Sequence, residues 1–125
     1  MSQLMGVLLN GIAQLEYDRR RQLPDHQAAY LEKMDQMMDA GILIDDQTVV
    51  DPETGQRAQF VAANLAHAIK TNDEQQAAAM CTYLAERLPD LKQVKILEDQ
   101  EAMSIDLVFD EDYVKQIAVA MPKPS

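Results

Sequence analysis

The spacing of apolar residues changes at Gln93, and that change restricts the fold more than any other feature. From Gln93 onward the period is two: Val94 and Ile96 alternate with Gln93 and Lys95, and Met103, Ile105, Leu107 and Phe109 alternate with Ser104, Asp106, Val108 and Asp110. Successive side chains of a strand point to opposite faces, so this pattern predicts two strands with one buried face. They are expected to pair antiparallel around a turn at Asp99-Gln100-Glu101.

Upstream of Pro89, apart from one short β-branched stretch, the apolar spacing is three or four, as helices require. Leu4, Leu8, Ile12 and Leu15 form one stripe, with Gly6 and Gly11 inside it and Arg19, Arg20 and Arg21 at its end. A second stripe runs through Tyr30, Leu31, Met34, Met37 and Met38 and stops at Gly41. A third helix is expected over about residues 57 to 71, around Phe60, Leu65 and Ile69. A fourth begins at a cap on Asn72 or Asp73, carries Met80, Cys81, Leu84 and Leu88, and ends at Pro89. Between the second and third, ILIDDQTVVD reads as a short hairpin, and Asp51-Pro52-Glu53-Thr54-Gly55 as a turn. Tyr113, Val114, Ile117, Ala118 and Met121 fit a closing helix capped by Asp110, although Gln116 to Ala120 would also serve as a third strand.

The expected fold is therefore α+β, a helix-dominated single domain over residues 1 to 121 with a disordered tail at 122 to 125. It comprises two αα-hairpins, a short β-hairpin between them, and a C-terminal antiparallel β pair followed by a short helix. The 125 residues suffice to bury a core without a disulfide or metal. A single cysteine, a poor match to a signal peptide and the lack of a long apolar run suggest a cytoplasmic protein.

Charge is uneven. The net formal charge is −10, and the segment EDQEAMSIDLVFDED at 98 to 112 holds seven acids and no base. Bulk negative charge opposes direct binding to nucleic acid or anionic membranes and allows a partner with a basic surface. Asp106, Asp110, Glu111 and Asp112 are the candidate partner-binding acids. Each also has a structural reading, as a strand's outer face or as the first turn of a helix. In its extreme form the acidic surface would imitate nucleic-acid phosphates and block a nucleic-acid-binding protein. Met34, Met37 and Met38 are a second candidate surface, because methionine-rich faces adapt to partners, although methionine at helical spacing also serves as core. With the first helix they leave room for a homodimer.

Motifs of chemistry are sparse. Gly6 to Gly11 has phosphate-loop spacing, but Ile12-Ala13 replaces the lysine and hydroxyl that would hold phosphate and magnesium. His26 and His67 are isolated, with no metal-ligand spacing around either. His26 reads as a surface residue and His67 as a partly buried structural one. Cys81 reads as a small buried hydrophobe. An enzyme would need His67 and Cys81 to converge in the fold. Asp45, Asp46, Asp51 and Glu53 are expected to stabilise turns, with no calcium-loop pattern among them. No cofactor or metal is expected. The leading expectation is a small acidic regulator, adaptor or inhibitor that works through protein surfaces.

Overall fold

The computed structural model describes residues 4–20, 22–44 and 46–114. In chain order the elements are β1 (Leu4–Leu9), β2 (Ile12–Asp18), α1 (Asp25–Asp39), β3 (Ile42–Ile44), β4 (Gln47–Val49), α2 (Thr54–Lys70), α3 (Glu74–Arg87), β5 (Gln93–Glu98) and β6 (Met103–Val108). The class is α+β. The main sheet has the order β2-β1-β5-β6, with β1 and β5 parallel and the outer pairs antiparallel, and β3-β4 form a separate hairpin.

The first segment departs from expectation: residues 4 to 18 form a β-hairpin rather than a helix, so the first expected αα-hairpin is absent among the described residues and the second is made of α2 and α3. The reason lies in the turn. Asn10 and Gly11 take φ values of 51° and 82°, the left-handed pair that a two-residue hairpin turn requires. The spacing of Leu4 and Leu8 is four, which is one helical turn but also an even number of strand residues. β1 is a central strand with Met5, Gly6, Val7 and Leu8 all buried, so its two faces are both apolar and no alternation marks it. A register shift between Val7 and Leu8 leaves Gln14 as the extra residue of a bulge in β2.

The other elements follow their local signals. Leu31, Met34 and Met38 face inward from α1. α2 begins with a capping box, in which the Glu53 backbone N–H donates to Gln56 Oε1 at 2.9 Å. Asp73 caps α3, accepting from the Gln76 backbone N–H at 3.2 Å. The alanines of the two helices, among them Ala58, Ala62, Ala66, Ala77 and Ala85, are buried and let α2 and α3 approach closely. The pair covers one face of the sheet, with α3 against β2 and α2 towards β6. The core lies between these layers and includes Met5, Val7, Leu65, Leu84, Val94 and Ile96.

The opposite face is crossed by the chain after β6. Register aligns Glu16, Gly6, Gln93 and Val108 in one row across the sheet. Tyr113 is buried on this row, over Gly6. The side chain of Gln93, itself buried, donates from Nε2 to Glu111 O at 3.0 Å, Glu111 Oε1 at 3.1 Å and Asp112 O at 3.3 Å. Asp110 and Glu111 lie in bends rather than in a helix. The closing helix expected to 121 and the tail at 122 to 125 lie outside the described residues beyond Val114.

Candidate functional site

The acidic segment is partly neutralised from within. Lys70 Nζ lies 2.6 Å from Glu98 Oε2, Lys92 Nζ 2.9 Å from Asp112 Oδ1, and Lys95 Nζ 2.8 Å from Glu111 Oε1. Hydrogen bonds from Lys95 and Gln93 hold the Glu111 carboxyl below its ordinary range, and Lys92 does the same for Asp112. Asp99 accepts from the backbone N–H groups of Glu101 and Ala102, both at 2.8 Å, and so organises the β5-β6 turn. Asp106 and Asp110 are exposed and lie outside these ion pairs; the Lys95 pKa is raised chiefly by its hydrogen bond to Glu111, and the two aspartates add to that field. Of the four acids singled out in the sequence, Glu111 and Asp112 thus hold the returning chain to β5, while Asp106 and Asp110 face solvent.

The methionine stripe divides in the same way. Met34 and Met38 are core, and Met37 is 67% exposed. They do not form a continuous surface, because α1 turns Met34 and Met38 inward beside Leu31. His26 is exposed, as its position suggested. His67 is exposed rather than partly buried, because α2 turns Leu65, Ala66 and Ala68 inward and leaves it on the solvent side. Cys81 is buried, and that burial raises its thiol pKa to about 12. A cavity of about 290 Å³ lined by Leu15, Tyr17, Leu23, Pro24 and Thr82 opens beside Cys81 with no histidine in its wall.

The arginine cluster and the acids near the small hairpin have structural partners. Arg19 Nη1 donates to Ala85 O at 2.7 Å, and Nη2 donates to Leu88 O at 3.2 Å and Leu91 O at 2.5 Å. Arg19 therefore caps the end of α3 and the loop after it, rather than the end of a helix of its own. Arg20 pairs with Asp18, and Arg21 lies outside the described residues. Asp46 takes a left-handed turn conformation, Asp51 does likewise and approaches Arg57, and Glu53 caps α2. Among the described residues no three His, Cys, Asp or Glu side chains gather as a metal site.

Two features escaped the sequence reading. One is a polar hub among the three helices. Asp35 of α1 accepts from the Tyr83 hydroxyl, from Arg87 Nε at 2.9 Å and from Arg57 Nη1 at 3.2 Å. Arg57 also reaches Asp39 and the Pro52 carbonyl, so it ties α1 to the loop before α2. Burial alone would raise the Asp35 pKa, but the Tyr83 hydroxyl and the two guanidinium groups outweigh it and hold the carboxyl low. Tyr83 is pushed up by its burial and by the same carboxylate. The available signal was an acid set within the buried stripe of α1, one turn from Leu31 and from Met38.

The second feature is the end of the sheet at β6. Leu43, Ile44, Phe60, Ala63, Met103 and Ile105 line a groove of about 470 Å³ between the β3-β4 hairpin, α2 and this strand. Leu43 is 60% exposed and Met103 40% exposed. Among the described residues no strand pairs with the outer side of β6. Apolar wall and open ladder thus meet at one place. The sequence marked β6 as a strand but carried no sign that it ends the sheet.

No protein family, no curated protein and no solved structure matches this chain.

Proposed function

We propose that this chain is a non-catalytic protein-interaction module that works through the β6 end of its sheet. The observation that carries the reading is the outer edge of β6, which no described strand covers, beside an apolar wall of exposed Leu43 and Met103 and partly buried Phe60. An unpaired strand offers backbone N–H and C=O groups in register, and adjacent apolar pockets supply the side-chain contacts. Asp106 and Asp110 give this end a negative border, which favours a partner edge with basic or neutral polar residues. A reducing, cytoplasmic setting suits a chain with one buried thiol.

Nucleic-acid imitation draws less support, since Lys70, Lys92 and Lys95 are interleaved with the acids that would have to mimic phosphates. An enzymatic role around His67 and Cys81 draws less support too. The thiol is held protonated by burial, and the histidine faces solvent. Among the described residues no helix is long and apolar enough to cross a membrane.

Site-directed photo-crosslinking in cells tests the reading. The probe p-benzoylphenylalanine at Met103 should give discrete protein adducts, and the same probe at exposed Asp90 should not. Equal labelling at both positions, or none at Met103, would remove the β6 end as the working surface.

A further inference from the structure

We propose that the partner at this edge is a second copy of the chain, with β6 pairing antiparallel to β6 of its partner about a dyad at Ile105. The inference rests on the reading that the β6 end is the working surface. It starts from a contrast between the two ends of the sheet. β2 carries the bulge at Gln14, which breaks the regular ladder that an added strand needs. β6 pairs with β5 over six residues without a shift, so its outer edge is regular.

The phase of the ladder decides which residues serve that edge. Asp99 N donates to Ala102 O at 3.0 Å, which sets that pair as a hydrogen-bonded one. Antiparallel pairs alternate between bonded and non-bonded, so the β6 residues bonded to β5 are Ser104, Asp106 and Val108. Met103, Ile105 and Leu107 direct their backbone groups outward.

The stretch MSIDL at 103 to 107 is symmetric in character about Ile105. A dyad there places Met103 opposite Leu107 of the other copy and Ile105 opposite its own counterpart. These are the outward-directed residues, so the register closes about six new ladder bonds. All three side chains lie on the helix-covered side, where they join the apolar wall of Leu43 and Phe60. On the other side Ser104 of each copy faces Asp106 of the other, hydroxyl to carboxylate. The two Asp106 groups are diagonal rather than opposed, and Lys95 stands beside each as its register partner on β5. A dyad shifted by one residue to Asp106 would set the two carboxylates directly against each other. The result is a continuous eight-stranded sheet with β2 at both ends.

The test uses the exposed position 104, where substitution does not disturb the core. Sedimentation of the full chain should show a dimer over micromolar to near-millimolar concentration. Ser104→Asp opposes like charges twice per dimer and should weaken it about tenfold, and Ser104→Lys should tighten it by a similar factor. The double variant Ser104→Asp with Asp106→Lys should restore wild-type affinity. A dimer indifferent to these changes overturns the pairing. A monomer at all concentrations overturns the second copy as partner. If Met103 then still crosslinks to a different protein, the wider reading of this surface stands without it. A monomer together with no adduct at Met103 ends both.

Discussion

Tyr113 lies across Gly6 of the central strand β1, and its hydroxyl donates to Glu16 Oε2 on β2 at 2.6 Å. The ring occupies the space of a Cβ, so no other residue at position 6 leaves it in place. One glycine thus allows the chain after β6 to close over the helix-free face. Gly6→Ala should destabilise the fold by about 1–3 kcal/mol through overpacking. Tyr113→Phe keeps the ring and should cost about 1 kcal/mol for the lost hydrogen bond. Urea denaturation checks both, and a Gly6→Ala variant as stable as wild type would show that the ring does not depend on this contact.

The Asp35 hub predicts a pH dependence with a definite sign. Its carboxyl is held below its ordinary value of 3.8 in the fold. The stability it contributes is therefore complete above that value and is lost as pH falls through the lower folded pKa. Asp35→Asn should destabilise the protein at neutral pH by about 2 kcal/mol, a partly exposed pair being worth less than a fully buried one. The variant should also lose less stability than wild type between pH 4 and pH 2, as read by denaturant midpoints across that range. Parallel acid limbs for the two proteins would contradict this assignment.

Cys81 should be inert in the folded state. With its thiol pKa raised to about 12 by burial, almost no thiolate is present at pH 8. Labelling by a disulfide reagent should wait on opening of the fold and speed up in step with added denaturant. Tyr17, raised to about 12 by its burial and its bond to Glu86, should likewise not ionise before the protein unfolds in alkali. Immediate labelling of the native thiol at pH 8 would contradict the packing around α3.

Arg19 holds three carbonyls at the end of α3 and the loop after it. Arg19→Met preserves the stem and removes the donors, and should cost about 2–3 kcal/mol. Arg19→Lys should recover only part of this, because an ammonium cannot match the planar fork. Thermal melting of the three proteins should rank them Arg, Lys, Met, and equal midpoints for Arg and Met would show the cap to be incidental.

What could be read from the chain beforehand followed the range of the forces involved. Asp73 before α3, Pro89 after it, and Gly41 after α1 act within a few residues, and each marks its boundary in the structure. Alternation at Val94 and Ile96 and from Met103 to Leu107 likewise identified β5 and β6. The failure at residues 4 to 18 has the same logic. β1 is buried on both sides, so its alternation vanished, and four-residue spacing suited either structure. Asn10-Gly11 was the local signal that separated the two.

The sequence by itself determined the α+β class, the α2-α3 pair, both C-terminal strands and the burial of Cys81, because period and capping are written in neighbouring residues. Only the tertiary structure decided that β1 lies between β2 and β5, that Asp35 meets Tyr83 and Arg87 from 48 and 52 residues away, and that β6 is the outermost described strand beside Leu43. Those relationships depend on which strand pairs with which and on how helices pack over them. Chain entropy and long-range burial settle such pairings together, so no stretch of neighbours carries them.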